Sequence, residues 1–378
     1  MKIGLDGIPL ASTKTGIGHY TLELSQALAA LGTHDEFELI SPIPFDSSPF
    51  EYPPPNLKRV EAPKRKFWWL LGLPLYIRRH SLSLFHGTNY EIPMWDECPT
   101  VLSIHDLSLL LYPQTHLDHL VRRARLRLPL MTRFATRVIT ATETVKQEIV
   151  EHLQVDPEKI AVTPYAPRHN FHPLALEDTE QTRARFGIED KFILFVGTIE
   201  PRKNLITLLR AFADVLRNTD LRPQLVVAGQ KGWLMDEIST YVNSENLSDR
   251  IVFTGYVNDR DLRGLYSSCA VCVYPSLYEG FGFPPLEAMA CGAPVIVSDI
   301  PVLREVTGDA AVRVSPLDVQ RLAESLVELL RDEGKRAYFS EAGRDRARRF
   351  TWEKTAKLTL DVYREVMSSK NKKHKRLS

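Results

Sequence analysis

Two carboxylates, Glu279 and Glu287, bracket the run Gly280-Phe281-Gly282-Phe283-Pro284-Pro285-Leu286. The run follows the apolar stretch Val271 to Tyr274. It leads into a helix pattern that carries Pro285 near its first turn, a favoured place for proline, and stops at Cys291-Gly292. Gly280 and Gly282 let backbone N–H groups come close to a bound group at a helix N-terminus, where the dipole favours anions. Two carboxylates in one site suit hydroxyl-rich ligands, because each oxygen can accept from a sugar hydroxyl. The plainer account makes Glu287 a surface helix residue and Glu279 a first-turn acid that complements the dipole. Against that account, a Gly-Phe-Gly-Phe-Pro-Pro loop is costly unless its backbone passes close to something, and the helix from Pro285 to Cys291 is otherwise apolar.

A second constellation is Phe195-Val196-Gly197-Thr198-Ile199-Glu200-Pro201-Arg202-Lys203-Asn204, opening a helix from Leu205. A strand ending in glycine, then paired cations just before a helix N-terminus, makes a site for a diphosphate. Arg202 and Lys203 would be unremarkable as a solvated pair, but cations are disfavoured where a helix begins. The loop after the first strand holds Gly16-Ile17-Gly18. It lacks the third glycine of a dinucleotide fingerprint, so its weight comes from its expected position opposite the second domain's loops. His105-Asp106 ends the strand pattern Thr100 to His105. A lone histidine there is often structural; at a strand's carboxyl end it also points to where ligands bind, and both readings stand.

Two spacings carry less. Asp259-Arg260-Asp261 has the form of a metal-holding Asp-x-Asp, but it directly precedes a helix pattern, where capping explains it. Cys269 and Cys272 have zinc or redox spacing, yet Cys272 lies inside an apolar strand and no second pair accompanies them, so core packing is expected. No resident metal is expected.

The elements that must position these residues follow from the patterning. The 378 residues suggest two domains. The composition is 44% hydrophobic and 25% charged, and Lys plus Arg number 48 against 47 Asp plus Glu, which excludes a histone-like polycation and a disordered acidic chain. Four cysteines in so long a chain are no disulfide framework, which favours a reducing compartment. The N-terminus has no signal-peptide pattern and no apolar run spans a bilayer, so a cytoplasmic protein is expected. Short apolar runs alternate with helix-period segments: Lys2 to Leu5, Glu36 to Ile40, Leu84 to His86, Thr100 to His105, Arg137 to Thr140 and Ile160 to Thr163. After a Pro-rich break at 164–173 come Phe192 to Val196, Gln224 to Ala228, Ile251 to Phe253, Val271 to Tyr274 and Val295 to Ser298. That rhythm predicts an α/β chain of two doubly wound, Rossmann-like parallel-sheet domains facing a central cleft, residues 1–172 and 173–351. Residues 352–378 are expected as a C-terminal helix from Trp352 to Met367, crossing back, and a basic tail, Lys370 to Arg376.

Glu279 and Glu287 together resemble the Glu-x7-Glu motif of the retaining glycosyltransferases of family 4, which have the GT-B fold. The likeness runs from Gly16-Ile17-Gly18 through His105-Asp106 and Gly197 to Asn204, and so covers almost the whole chain. Gly197-Thr198-Ile199-Glu200-Pro201-Arg202-Lys203-Asn204 is similar to the mannosyltransferase branch that builds bacterial cell-surface polysaccharides. The resemblance implies a nucleotide-sugar donor, GDP-mannose first and a UDP-sugar such as UDP-glucose as alternative, and no cofactor. It implies a glycan or lipid-linked acceptor bound by the N-terminal domain. By it, Glu287 holds the donor's ribose hydroxyls, while Glu279 and the backbone of Gly280, Phe281 and Gly282 hold the sugar. Lys203 with Arg202 neutralises the diphosphate beside Gly197 and Thr198, Gly16 and Gly18 let their loop approach the phosphates, and His105 lies beside the transferred sugar. Retention implies attack on the face of departure, with the leaving phosphate taking the acceptor proton. Two departures stand out. Many relatives carry arginine where this chain has Thr198, so Arg202 is expected to compensate, and the hinge reads Pro164-Tyr165-Ala166-Pro167 in place of an Asn-Gly turn.

Two basic-aromatic stretches suit the anionic inner face of a membrane: Lys64 to Leu71 with Arg78 and Arg79, and Arg122, Arg123, Arg125, Arg127 and Arg133 on a leucine-bearing helix. An ordinary solvated face is the bland alternative. A nucleic-acid partner lacks any recognition motif. Two rivals share the fold: a nucleotide-sugar 2-epimerase, and a silent nucleotide-sugar-binding subunit.

Overall fold

The apolar runs become the central strands of two parallel sheets in the computed structural model, which describes residues 1–11, 16–45, 54–63, 66–95, 97–230, 232 and 235–377, the side chains of 235 and 369–377 excepted. Packing separates two compact units, Met1–His169 with Phe350–Ser378, and Asn170–Arg349.

The first unit holds β1 (Lys2–Asp6), β2 (Glu36–Ser41), β3 (Leu57–Glu61), β4 (Leu84–Gly87), β5 (Thr100–Ser103), β6 (Arg137–Thr140) and β7 (Ile160–Val162), in spatial order β3-β2-β1-β4-β5-β6-β7. The second holds β8 (Phe192–Val196), β9 (Gln224–Ala228), β10 (Ile251–Gly255), β11 (Val271–Tyr274), β12 (Val295–Ser298) and β13 (Val312–Val314), in order β10-β9-β8-β11-β12-β13. Every pairing is parallel. Helices cover both faces of such sheets, so inner strands are apolar along their length; in β8 all five residues are buried.

The order of each sheet reverses once, between β1 and β4 in the first and between β8 and β11 in the second. Ligands of open α/β sheets bind beyond the carboxyl ends of strands at such a reversal. The loops after β8 and β11 hold Gly197 to Lys203 and Pro275 to Gly282, so the fold itself converges the two most informative segments of the chain.

Four expectations need correcting. Gly16 and Gly18 lie in the first turn of the helix Gly16–Leu31, not in a loop, and Gly18 is buried. The β5 ladder ends at Ser103, leaving His105 two residues beyond it. The terminal helix does not stop at Met367 but runs from Trp352 to Leu377 through the stretch expected as a tail. β3 and β13 were not anticipated, and each is an outermost strand. The hinge segment is tied to the terminal helix within the first unit: Trp352 Nε1 donates to Pro167 O at 2.9 Å and Thr355 Oγ1 to Pro164 O at 2.5 Å.

Candidate functional site

β8 delivers the chain to Gly197, whose carbonyl sits so close to the next loop that a Cβ on Gly229 would lie 2.0 Å from it. A single turn of 3-10 helix, Pro201–Lys203, then presents the two cations, and Asn204, in the left-handed region at φ 54°, starts the helix Leu205–Asn218. Asn204 is a fastener: its Nδ2 donates to Pro275 O at 3.0 Å and Pro316 O at 2.7 Å, while its Oδ1 accepts from Thr207 Oγ1 at 2.8 Å. One buried amide thus joins the loops after β8, β11 and β13, satisfying backbone carbonyls that would otherwise be stranded.

The loop after β11 ends at Gly282, with φ 97°, where only glycine sits without strain; a Cβ there would also lie 2.8 Å from Leu303 Cδ2. The helix begins at Phe283, so Glu279 is four positions ahead of it and not in its first turn. Glu287 is 3% exposed, which removes the surface-helix account of it. Gly280 and Phe281 are buried beside them, and Phe281 meets Phe283 edge-on with centroids 5.5 Å apart.

Arg202, Lys203 and Glu279 come together. Lys203 Nζ donates to Glu279 Oε1 and to the Tyr274 hydroxyl, each at 2.6 Å. Arg202 Nη1 lies 3.2 Å from Glu279 Oε2 and donates to Tyr278 O at 3.0 Å, while its Nη2 donates to Glu200 Oε1 at 2.7 Å. Burial by itself would raise the Glu279 carboxyl; the charges of Lys203 and Arg202 outweigh it and bring it down to about 2. Burial pulls Lys203 below the ordinary lysine value, helped by Arg202 and opposed by Glu279. The stem of Lys203 runs past Gly197, and Thr198 is exposed. The arrangement is a largely buried cluster in which two cations are paired with two carboxylates, Glu200 and Glu279. Glu200, Tyr274 and the bridging part of Asn204 escaped the sequence reading, although Glu200 stands only two residues before Arg202.

His105 belongs to the other unit. Both of its ring nitrogens are taken: Nε2 faces Thr88 O at 2.7 Å, and since a carbonyl only accepts, Nε2 carries the proton, which leaves Nδ1 to accept from the Tyr165 hydroxyl at 2.7 Å. Burial pushes its pKa down to about 4, so the ring is neutral near pH 7. Tyr20 and Tyr90 pack edge-on against it at 4.9 and 5.3 Å. Nearby, at the end of β1, Asp6 is buried with Ile8 N on one oxygen; burial raises its carboxyl to about 7. Nothing in the sequence pattern marks it.

The discounted signals resolve locally. The cap is Asn258 and neither aspartate: it accepts from Asp261 N, and the helix Asp259–Ser268 begins three residues earlier than expected, with both aspartates in its first turn where negative charge suits the dipole; Asp261 Oδ2 also receives Asn258 Nδ2 and Arg185 at 2.8 and 2.6 Å. Cys269 and Cys272 are buried, the latter inside β11.

The basic stretches are partly rewritten. Lys64 and Arg65 lie outside the described residues, as do the side chains of Lys370 to Arg376. The tryptophans are not the exposed groups: Trp68 packs with Tyr76, Ile77 and Phe85, and Trp69 is half-buried, while Phe67, Leu70, Leu71 and Leu75 face outward. On the helix Asp118–Phe134, Arg123 and Arg127 are paired with Glu91. Arg122, Arg125 and Arg133 are exposed among Leu126, Leu130 and Phe134, with Leu126 at 72%. Among the described residues no helix is long and apolar enough to cross a membrane.

Comparison with known proteins gives the site a context. Residues 14–166 match the family model Glycosyltransferase Family 4, and residues 178–346 match Glycosyl transferases group 1. O-antigen chain mannosyltransferase B of Escherichia coli is 30% identical over 96% of this chain and 100% of its own length. Among solved structures, sucrose-phosphate synthase from Thermosynechococcus elongatus is similar with a TM-score of 0.78 at 24% identity, covering 98% of this chain and 100% of that one. Anabaena HepE in complex with UDP-glucose gives 0.75 at 18% identity, covering 97% and 100%.

Proposed function

Because the chain belongs to the glycosyltransferases of family 4, with their GT-B fold, we propose that it is a retaining mannosyltransferase, moving mannose from GDP-mannose to a hydroxyl of a lipid-linked or growing surface glycan. The observation that carries this reading is the largely buried Lys203–Glu279–Arg202 cluster at the carboxyl ends of β8 and β11. A departing diphosphate develops negative charge, and fixed cations in a dry site stabilise it without reorganising at the moment of reaction. Lys203 fills that role, beside Arg202, which is bound to Glu279. The exposed Thr198, next to Gly197, leaves the phosphates access to this loop. Glu279, with the backbone of Gly280, Phe281 and Gly282, takes the sugar's hydroxyls, and Glu287 those of the ribose. Gly16 and Gly18 let the first helix approach the phosphates, and His105 abuts the transferred sugar as a neutral, fixed ring. The first unit takes the acceptor. The cations make a metal unnecessary, and no cofactor takes part.

The exposed arginines and leucines of the helix Asp118–Phe134, with Phe67, Leu70, Leu71 and Leu75, seat the enzyme on the anionic cytoplasmic face of a membrane, each cation contributing about 1 kcal/mol near the surface. Flotation with phosphatidylglycerol vesicles checks this: the protein should float at low salt, and Leu126→Asp with Arg122→Glu should leave it at the bottom. Equal flotation with neutral vesicles would reject the surface.

The donor is tested by binding GDP-, UDP-, ADP- and dTDP-sugars with and without a chelator. GDP-mannose should bind and slowly release GDP, unchanged by the chelator. Binding of a UDP-sugar alone would move the donor, and no binding at all would leave a silent subunit.

A further inference from the structure

Arg202 and Lys203 are neighbours in sequence but not in task. We propose that Arg202 is a positioning residue that acts on the sugar through Glu279, and that Glu200 commits it to this. The inference rests on reading this segment as the nucleotide-sugar site.

Three observations carry it. First, Arg202 is bound to the loop after β11 by both side chain and main chain: Nη1 to Tyr278 O at 3.0 Å and to Glu279 Oε2 at 3.2 Å, and its own carbonyl accepting from Leu277 N at 2.8 Å. Second, Glu200 holds the other arm of the guanidinium at 2.7 Å, so the planar fork is fixed from both ends. Third, Lys203 is differently placed. It gives two ammonium protons to Glu279 Oε1 and Tyr274, and no protein group among the described residues takes the third.

The two oxygens of Glu279 are therefore divided between the two cations. A diphosphate that draws Lys203 toward itself frees Oε1 for a sugar hydroxyl, while Oε2 stays on Arg202. Arg202 keeps the carboxylate ionised and aimed during that exchange. It follows that Arg202 does not stand in for the arginine that Thr198 replaces; Lys203 and backbone N–H groups meet the phosphates.

The test compares GDP with GDP-mannose, by calorimetry, on the full chain. Arg202→Met should weaken GDP-mannose by about tenfold or more and leave GDP within about threefold, because only the sugar meets Glu279. Arg202→Lys, which keeps the charge without the fork, should fail to restore the difference. Glu200→Gln should move in the same direction by less. Lys203→Ala should weaken both ligands. A purely structural role for Arg202 would lower both affinities along with the melting temperature. Equal loss of GDP and GDP-mannose, or no loss of either, would overturn the proposal. If the wild-type protein bound no nucleoside diphosphate at all, the donor reading itself would fall, and this inference with it.

Discussion

Lys203→Ala is expected to lower turnover by about 10²–10³-fold, more than it lowers donor affinity. In bound donor the diphosphate already carries charge; in the transition state it gains the charge of the breaking bond, so a cation at the leaving oxygen is worth more there than in the ground state. The variant should still fold, because Glu279 keeps Arg202 on its other oxygen and is not left as an unpaired buried anion. The pH profile gives an independent check. Burial has pulled the Lys203 ammonium below the ordinary lysine value. It is charged below its pKa, so kcat/KM should fall with rising pH earlier than an ordinary lysine would allow. In the donor complex the phosphates favour the ammonium, so the same limb in kcat should lie higher. A loss confined to donor affinity, with turnover at saturation untouched, would remove Lys203 from the leaving group.

The parts of this molecule that were legible in sequence are those whose signal is local. β8, β9, β11 and β12 are buried on both faces, so each is a continuous apolar run bounded by loops. β3 and β13 are edge strands with one neighbour each. Lys58, Arg59 and Arg313 are exposed on them, as suits an unpaired edge, and their patterns are too polar or too short to be read as strands. Trp68 looked like a membrane-facing aromatic because a basic run surrounds it; its burial depends on Phe85 and Ile77, which no local pattern discloses. The candidate site divides in the same way. Glu279, Arg202 and Lys203 announce themselves by standing in strand-to-helix loops with glycine. The amide of Asn204 acts on carbonyls 71 and 112 residues away, and only the folded chain brings them within reach. The Tyr165 partner of His105 is of that second kind as well.

Glu287→Ala should raise the donor KM by about 5- to 150-fold, equivalent to about 1–3 kcal/mol, with turnover at saturating donor nearly unchanged. The ribose does not change during the reaction, so its hydrogen bonds are equally strong in the ground and transition states and contribute to affinity alone. Glu287 lies on a helix whose other buried side chains, among them Leu286, Ala288 and Met289, are apolar. Glu287→Gln keeps the shape and lets the loss of charge be separated from the loss of packing. A donor lacking one ribose hydroxyl makes the assignment specific. The wild-type enzyme should bind 2′-deoxy- or 3′-deoxy-GDP-mannose more weakly than GDP-mannose, and Glu287→Ala should bind all three alike, because the partner of the missing hydroxyl is already gone. If the variant still discriminated among them as the wild type does, Glu287 would be holding something other than the ribose, and its burial would have to be explained by the packing of the helix Phe283–Ala290 alone.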